Sequence, residues 1–177
     1  MINKNCIRKM MIAKRNTLTD DEINFASNEL FNFVINHSVF KNSECIYLYA
    51  DFNHELFTKK IIDYCLNSNK QLLLPKIIRR GEIVFVNVNK TTEYQLNKYG
   101  IREPKSDDEV KINAGMMIIP LVATDMTYRL GYGGGYYDKY LSKYDGIYTL
   151  GVGYKFQNIN DKIFEEHDVK LSEIKLF

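Results

Sequence analysis

Short, largely apolar runs that alternate with helical segments constrain what this chain can fold into more than any other feature. The runs are Cys45–Ala50, Leu72–Pro75, Met116–Leu121 and Ile147–Val152. Apolar runs of this length, bounded by polar turns, predict buried strands. Because such strands alternate here with helical patterns, the sequence favours an α/β fold. We predict a three-layer α/β/α sandwich around a largely parallel or mixed sheet.

Two helices are predicted before the first strand. The basic segment Lys4–Asn16 precedes a second helix, which Thr19 or Asp20 caps. Glu22 stands three residues after Thr19, as in a capping box, and the apolar residues that follow recur at helical spacing. The further predicted elements are a helix at 55–66, a helix that starts within 136–144, a strand at Glu82–Val88 that could form a hairpin with Leu72–Pro75, and an irregular polar segment at Thr91–Asp108.

Size and charge exclude several classes of protein. The 177 residues fit one domain that covers 1–177. The 24 basic and 22 acidic residues give a net charge of +2, which is too small for a non-specific nucleic-acid binder. The longest apolar run, at 116–123, is far shorter than the roughly 20 residues that span a bilayer. We therefore expect a soluble cytoplasmic protein without nucleic-acid or membrane partners.

The three cysteines indicate a reducing compartment and not a disulfide framework. They are odd in number and form no C-x-x-C pair, and the three histidines do not cluster with them. Cys45 and Cys65 lie in apolar surroundings, so we expect them to be packing residues. No zinc site is predicted.

The segment Arg129–Asp138, RLGYGGGYYD, is the strongest candidate for a ligand site. Four of the ten glycines fall within positions 131–135. Clustered glycines allow backbone amides to approach a phosphate closely, and a helix beginning after them would add its free N–H groups. The segment matches neither a P-loop nor G-x-G-x-x-G. A flexible turn or an RNA-binding Gly/Tyr segment is the alternative, but Arg129 and Asp138 favour an anion site.

The loops that follow the central strands are the expected location of the site. In α/β folds, ligands bind where the carboxyl ends of parallel strands meet. The loops after Ala50, Leu121 and Val152 are therefore predicted to carry the chemistry.

The glycine segment and several other motifs resemble the 5-formyltetrahydrofolate cyclo-ligases, also called methenyltetrahydrofolate synthetases. The resemblance spans nearly the whole chain, in the order of the family's motifs. The matching pieces are Lys4 and Arg8 (Lys-x-x-x-Arg), Tyr47–Ala50 followed by Glu55, Leu74–Lys76, Tyr99–Pro104, Ile119–Asp125, RLGYGGGYYD and His167–Val169. The main departure is Leu121–Thr124, which replaces a Gly-Leu-Ala-Phe step and removes a glycine and an aromatic residue.

This resemblance implies an activity and a fold. The implied reaction is the ATP- and Mg²⁺-dependent closure of 5-formyltetrahydrofolate to 5,10-methenyltetrahydrofolate, with ADP and phosphate as the other products. The γ-phosphoryl group would activate the formyl oxygen before N10 attacks. The implied fold is similar to that of the sugar-phosphate isomerases and CoA-transferases, and the implied assembly is a monomer or weak homodimer.

The resemblance also assigns roles to residues. The implied ATP-binding residues are Lys4, Arg8, Arg129, Leu130, Gly131, Tyr132, Gly133, Gly134, Gly135, Tyr136 and Tyr137, with Arg129 and Tyr132 as catalytic residues. The implied substrate-binding residues are Ala50, Glu55, Tyr132, Gly133, Gly134, Gly135 and Tyr136. Glu55 would accept from the pterin NH groups. Asp138 and Asp168 are the implied Mg²⁺ ligands, and His167 is expected to be structural.

Each assignment has a simpler alternative. Lys4 and Arg8 alone would be read as a solvated basic face, Glu55 as a first-turn helix acid, and Asp168 as a turn residue. Phe85 and Tyr154 are candidates for stacking on the pterin, although aromatic residues in strands more often belong to the core. Glu103 is expected to close a turn with Pro104, outside the site.

Four basic residues form a further hypothesis. Lys76, Arg79, Arg80 and Arg102 could attract a polyglutamate tail through their charge. Three other functions remain open at this point. They are an ATP-independent relative of the sugar-phosphate isomerases or CoA-transferases, a non-catalytic folate-binding protein, and an RNA-binding module.

Overall fold

The structure, a computed structural model, describes residues 3–159 and 168–177. The helices are α1 (Lys4–Arg15), α2 (Asp20–Asn36), α3 (Ser38–Asn42), α4 (Lys59–Leu66) and α5 (Tyr136–Leu141), with a 3₁₀ turn at Lys155–Gln157. The strands are β1 (Cys45–Tyr47), β2 (Gln71–Arg79), β3 (Glu82–Val88), β4 (Tyr94–Leu96), β5 (Arg102–Pro104), β6 (Met116–Pro120), β7 (Ala123–Thr124), β8 (Arg129–Leu130), β9 (Tyr148–Gly153) and β10 (Glu173–Leu176).

Six of these strands form one mixed sheet in the order β10-β9-β6-β1-β2-β3. Every neighbouring pair is parallel except β2 and β3, which form the predicted antiparallel hairpin. The parallel strands all end at the same edge of the sheet. The short pairs β4–β5 and β7–β8 lie outside it. The predictions of an α/β fold and of a largely parallel or mixed sheet are confirmed.

The two faces of the sheet bury different side chains because successive residues of a strand point to opposite sides. Ile46 and Leu48 belong to the cluster that α2, α3 and α4 cover. Tyr47, between them, belongs to the cluster on the opposite face, which Tyr140 and Leu141 of α5 cover. Helices on both faces make the three predicted layers.

Helix α1 packs beside the β7–β8 pair instead of on the main sheet. Ile7 of α1 is buried with Ala123 of β7 and Leu130 of β8. The helix therefore lies next to the chain that leads into the glycine segment.

The helix starts follow from local capping. The Asn3 side chain accepts from the Cys6 amide at the start of α1. At the start of α2, Thr19 accepts from the Glu22 amide, and the Glu22 carboxylate accepts from the Thr19 amide at 2.8 Å. This is the predicted capping box.

The helix predicted at 55–66 begins later, at Lys59. Asn53 and His54 have positive φ angles, which end the extended chain in a turn and not in a helix. Asp51 then accepts from the amide of Thr58 at 2.8 Å and fixes the position of that turn. Glu55 therefore lies in a loop, and the reading of it as a first-turn helix acid is wrong.

Other elements differ from the prediction. Residues 91–108, expected to be irregular, contain the β4–β5 hairpin, whereas α5 does start within the predicted segment, at Tyr136. Helix α3 and strand β10 were not predicted. Cys45 and Cys65 are buried as expected, whereas Cys6 is exposed. Among the helices of the described residues, none has the length and apolar character needed to cross a membrane.

Candidate functional site

A cavity of about 720 Å³ opens at the edge of the sheet where the parallel strands end. Ala50 and Glu55 reach it from the loop after β1, and Pro120 from the end of β6. The glycine segment closes another side with Tyr132, Gly133, Gly134, Tyr136 and Tyr137. The predicted loop after Ala50 therefore lines the cavity, whereas the chain after Leu121 reaches it only from Tyr132 onward, in the glycine segment. Within the described residues, the loop after Val152 does not line the cavity.

The hairpin β7–β8 positions the glycine loop, which we define as residues 131–135. Leu130 pairs with Ala123, and its side chain is buried against α1. Gly133 has a φ of 98°, and a Cβ at this position would lie 3.3 Å from Cζ of Arg8. Gly135, also at positive φ, is the N-cap of α5. The loop therefore needs glycine for its conformation and for the approach of Arg8.

Helix α1 contacts both the glycine loop and the carboxylate of Asp168. Arg8 Nε donates to the carbonyl of Gly131 at 2.8 Å. Lys4, one turn earlier on the same helix, donates to Asp168 at 2.7 Å. Arg8 therefore contacts the glycine loop, and Lys4, one helical turn away, contacts Asp168. The reading of them as a solvated basic face is wrong.

Glu55 is a buried carboxyl group of the cavity. It is 5% exposed, and its carboxylate accepts from the Phe52 amide at 3.1 Å. Burial raises the pKa of Glu55 from 4.5 to about 7, although the charge of Arg15 and the hydrogen bonds from Phe52 and Tyr132 oppose this increase. A carboxyl group that titrates near neutrality inside a cavity is a typical functional group.

Arg129 is buried behind the glycine loop. Its Nη2 donates to Asp138 at 3.1 Å, and its guanidinium carbon lies 5.1 Å from the centre of the Tyr137 ring. Its Nε has no hydrogen-bond partner in the part of the chain that the structure describes. Arg129 does not line the cavity itself, but it supports Tyr137, which does.

The two predicted metal ligands are both partly exposed and paired with cations. Asp138 pairs with Arg129, and Asp168 pairs with Lys4. Among residues 3–159 and 168–177, no three His, Cys, Asp or Glu side chains cluster closely enough to hold a metal ion. Mg²⁺ commonly takes one or two carboxylates and completes its shell with water and substrate phosphates. Each of the two carboxylates offers oxygen donors of the kind that Mg²⁺ takes. His167 lies outside the described residues.

The structure overturns the proposed stacking roles of Phe85 and Tyr154. Phe85 is fully buried, and its ring centre lies 4.8 Å from that of Tyr140 and 5.0 Å from that of Tyr47. Tyr154 stacks on Phe156, and its hydroxyl donates to the carbonyl of His54 at 2.9 Å. Both rings belong to the packed interior, where a pterin cannot reach them.

The sequence analysis missed several cavity residues, among them Phe52, Tyr99, Glu103 and Lys139. Phe52 follows Ala50 by two positions, so its place in a predicted site loop was a usable signal. The other three come from a hairpin expected to be irregular and from the outer part of α5.

Glu103 is a second buried carboxylate of the cavity, at 5% exposure. It accepts from the Ile77 amide at 3.2 Å and from the side chains of Asn97 at 3.1 Å and Gln95 at 3.3 Å. The expectation that it only closes a turn is wrong, because these bonds fasten the β4–β5 hairpin to β2.

The four basic residues that were expected to attract a polyglutamate tail do not lie together. Arg80 lines the cavity, whereas Lys76 is buried and paired with Asp107 at 2.6 Å. Arg79 pairs with Glu82, and the Arg102 guanidinium carbon lies 3.9 Å from the centre of the Tyr94 ring. Of these four residues, only Arg80 lines the cavity and could meet a substrate there.

Comparisons with known proteins agree with the motifs. The chain is 27% identical over 173 residues to the Escherichia coli protein named 5-formyltetrahydrofolate cyclo-ligase, covering 93% of this chain and 95% of that protein. It is 32% identical over 152 residues to a Schizosaccharomyces pombe protein named probable 5-formyltetrahydrofolate cyclo-ligase, covering 81% and 74% respectively.

Solved structures match over the same length. The NMR structure of Aquifex aeolicus 5,10-methenyltetrahydrofolate synthetase superposes with a TM-score of 0.85 at 28% identity, over 98% of this chain and 89% of that one. The synthetase from Mycoplasma pneumoniae superposes with a TM-score of 0.73 at 26% identity, over 97% and 96%. A model of the 5-formyltetrahydrofolate cyclo-ligase family matches residues 1–176. The chain therefore belongs to the 5-formyltetrahydrofolate cyclo-ligase family.

Proposed function

We propose that this chain, as one domain, catalyses the ATP- and Mg²⁺-dependent cyclisation of 5-formyltetrahydrofolate to 5,10-methenyltetrahydrofolate, releasing ADP and phosphate. The observation that carries the proposal is the position of the glycine loop. Gly133 and Gly134 line the cavity that holds Glu55, whereas Gly131 is bound from outside by Arg8. One loop can thus contact a folate on one side and phosphates on the other.

The chemistry requires activation of the formyl oxygen. A formamide oxygen is a poor leaving group, so attack by N10 on the formyl carbon stalls unless that oxygen is activated. Transfer of the γ-phosphoryl group forms a bond from phosphorus to the formyl oxygen and breaks the bond to ADP. N10 then attacks the carbon and loses its proton, and phosphate departs with the original formyl oxygen. The protein contributes positioning and charge stabilisation.

The residues divide between the two substrates. Glu55 accepts hydrogen bonds from the NH groups of the pterin, beside Ala50 and Tyr132. Arg8, Lys4 and the amides of the glycine loop bind the phosphates. Arg129 stabilises charge on the transferred group, because its guanidinium adjoins the loop and is held by Asp138.

Asp138 and Asp168 would hold the magnesium ion. When bound there, the ion would supply positive charge to offset that of the phosphate oxygens. Each carboxylate already pairs with a basic residue that we place at the phosphates. The binding of the nucleotide and of the metal is therefore expected to be cooperative.

The fate of the formyl oxygen tests the mechanism. With ¹⁸O in the formyl group, the released phosphate carries the label if that oxygen is phosphorylated. An ATP-independent relative would consume substrate without nucleotide, and a binding protein would retain substrate without releasing phosphate. Unlabelled phosphate together with methenyltetrahydrofolate would overturn the activation step.

A basic rim beside the cavity suggests where a polyglutamate tail binds. A second depression of about 330 Å³ shares Arg80, Tyr136 and Lys139 with the cavity and adds Lys143. These cations lead away from the folate-binding cavity, which places a chain of carboxylates along them. Lys143→Glu is expected to raise KM for the pentaglutamate substrate more than for the monoglutamate. Equal effects on both substrates would refute this tail site.

A further inference from the structure

Arg15, at the end of α1, is a fully buried arginine with no assigned role. Its side chain is only 1% exposed. A buried guanidinium requires compensation from hydrogen bonds or opposite charge. The nature of that compensation shows what Arg15 does.

The polar contact of the Arg15 guanidinium is with the glycine loop. Its Nη2 donates to the hydroxyl of Tyr132, and its Cζ lies 5.4 Å from the centre of the Tyr132 ring. Its Nε has no hydrogen-bond partner within residues 3–159 and 168–177. Arg15 does not line the cavity, but Tyr132 does.

The spacing along α1 gives this contact a second meaning. Arg8 and Arg15 are seven residues apart, which places them on the same face of the helix two turns apart. Arg8 holds the carbonyl of Gly131, and Arg15 holds the side chain of Tyr132. One helix therefore holds two successive residues of the loop, Gly131 by its backbone carbonyl and Tyr132 by its side chain.

Glu55 is the cavity carboxyl group that the charge of Arg15 influences. The positive charge of Arg15 lowers the pKa of Glu55 against the larger effect of burial, and the hydroxyl of Tyr132 acts on Glu55 in the same direction. The negative charge of Asp51 raises it. The titratable and charged groups that face Glu55 are Arg15, Tyr132, Asp51, Tyr49, Tyr137 and Tyr154. Arg15 is the cation of this set.

We propose that Arg15 is a positioning residue, which holds Tyr132 at the cavity wall and supplies the positive charge that allows buried Glu55 to bind substrate as a carboxylate. Its part in substrate binding rests on the proposed function. Arg15 acts through Tyr132 and Glu55 and does not touch the folate. The sequence gives no sign of this role, since Arg15 only ends a basic helix.

The first test measures Glu55 directly in the ligand-free protein. Side-chain carboxyl carbons of glutamate are labelled with ¹³C and titrated by NMR, with Glu55→Gln to assign the signal. Arg15→Met is expected to raise the pKa of Glu55 by about 1. Lys14→Met removes a charge from the neighbouring position of α1 and is the matched control, expected to leave the titration unchanged. An unchanged pKa in folded Arg15→Met would overturn the proposal.

The second test separates charge from geometry and serves also if Arg15→Met does not fold. Arg15→Lys keeps the charge but not the planar fork, so Glu55 should titrate as in the wild type while KM for the folate rises about tenfold. Tyr132→Phe should raise KM for the folate by a similar factor, and it should raise this KM little further in the Arg15→Lys variant. If the KM increase in the double variant equals the product of the two single increases, the positioning role is overturned. A wild type that fails to cyclise the substrate refutes the proposed function instead, because the titration needs no turnover.

Discussion

Replacing Glu55 by glutamine is expected to stabilise the protein at alkaline pH. Burial raises the pKa of this carboxyl from 4.5 to about 7 in the folded state. Between these values the folded protein binds a proton that the unfolded chain releases, so the free energy of unfolding falls as pH rises through this window. One pKa unit corresponds to about 1.4 kcal/mol, so ionised Glu55 destabilises the fold by about 3 kcal/mol at pH 8.

The glutamine variant lacks this ionisation but keeps an acceptor for the Phe52 amide, 3.1 Å away in the wild type. Urea unfolding at pH 5 and pH 8 measures the effect. We expect similar stabilities at pH 5 and a gain of up to about 3 kcal/mol for Glu55→Gln at pH 8. Cyclisation should be strongly reduced in the same variant, which is the usual exchange of function for stability at a buried site.

Glu29→Gln removes a carboxylate from an exposed position of α2 and is the matched control. We expect its stability to stay within about 0.5 kcal/mol of the wild type. The reasoning would be refuted if the difference between Glu55→Gln and the wild type did not change with pH, or if the variant lost stability as pH rose.

Three further changes test other parts of the structure. Tyr148→Phe removes a 2.7 Å hydrogen bond to Glu173, and we expect a loss of about 1 kcal/mol in urea unfolding at pH 7. Although burial alone would raise it, hydrogen bonds from Tyr148 and His37 hold the pKa of Glu173 below 4.5, so this loss should shrink as pH falls through that lowered pKa. Gly133→Ala places a Cβ at a φ of 98° and 3.3 Å from Arg8, so cyclisation should fall at least tenfold while circular dichroism stays unchanged. Lys70→Met removes donors from three carbonyl oxygens around the end of α3, and a lowering of the free energy of unfolding by about 1–2 kcal/mol is expected in the same assay.

The central strands and their layers were predictable because a short apolar run in the sequence indicates a buried strand. The runs at Cys45–Ala50 and Met116–Leu121 became β1 and β6, and the hairpin β2–β3 formed where predicted. The later start of α4 was not predictable from periodicity. It depends on hydrogen bonds of Asp51 to Thr58 and on positive φ angles, which a helical pattern does not reveal.

The site was predictable where a motif concentrates unusual residues. The glycine loop and Glu55 do line one cavity. Glu103 and Arg15 were missed because each looks ordinary in sequence, one before a proline and the other at the end of a basic helix. Their importance comes from long-range contacts, to β2 and to the glycine loop. Phe85 failed as a candidate for the opposite reason, since a strand aromatic is indistinguishable in sequence from a core residue.

The most direct test of the account follows near-ultraviolet absorbance of methenyltetrahydrofolate after the protein is mixed with 5-formyltetrahydrofolate, Mg²⁺ and ATP. Reactions without ATP or without Mg²⁺, and with Asp138→Ala, run beside it. The account predicts a signal that requires both ATP and Mg²⁺ and collapses in the variant. A folded wild type that gives no signal, or one that gives the same signal without ATP, would contradict the proposed function.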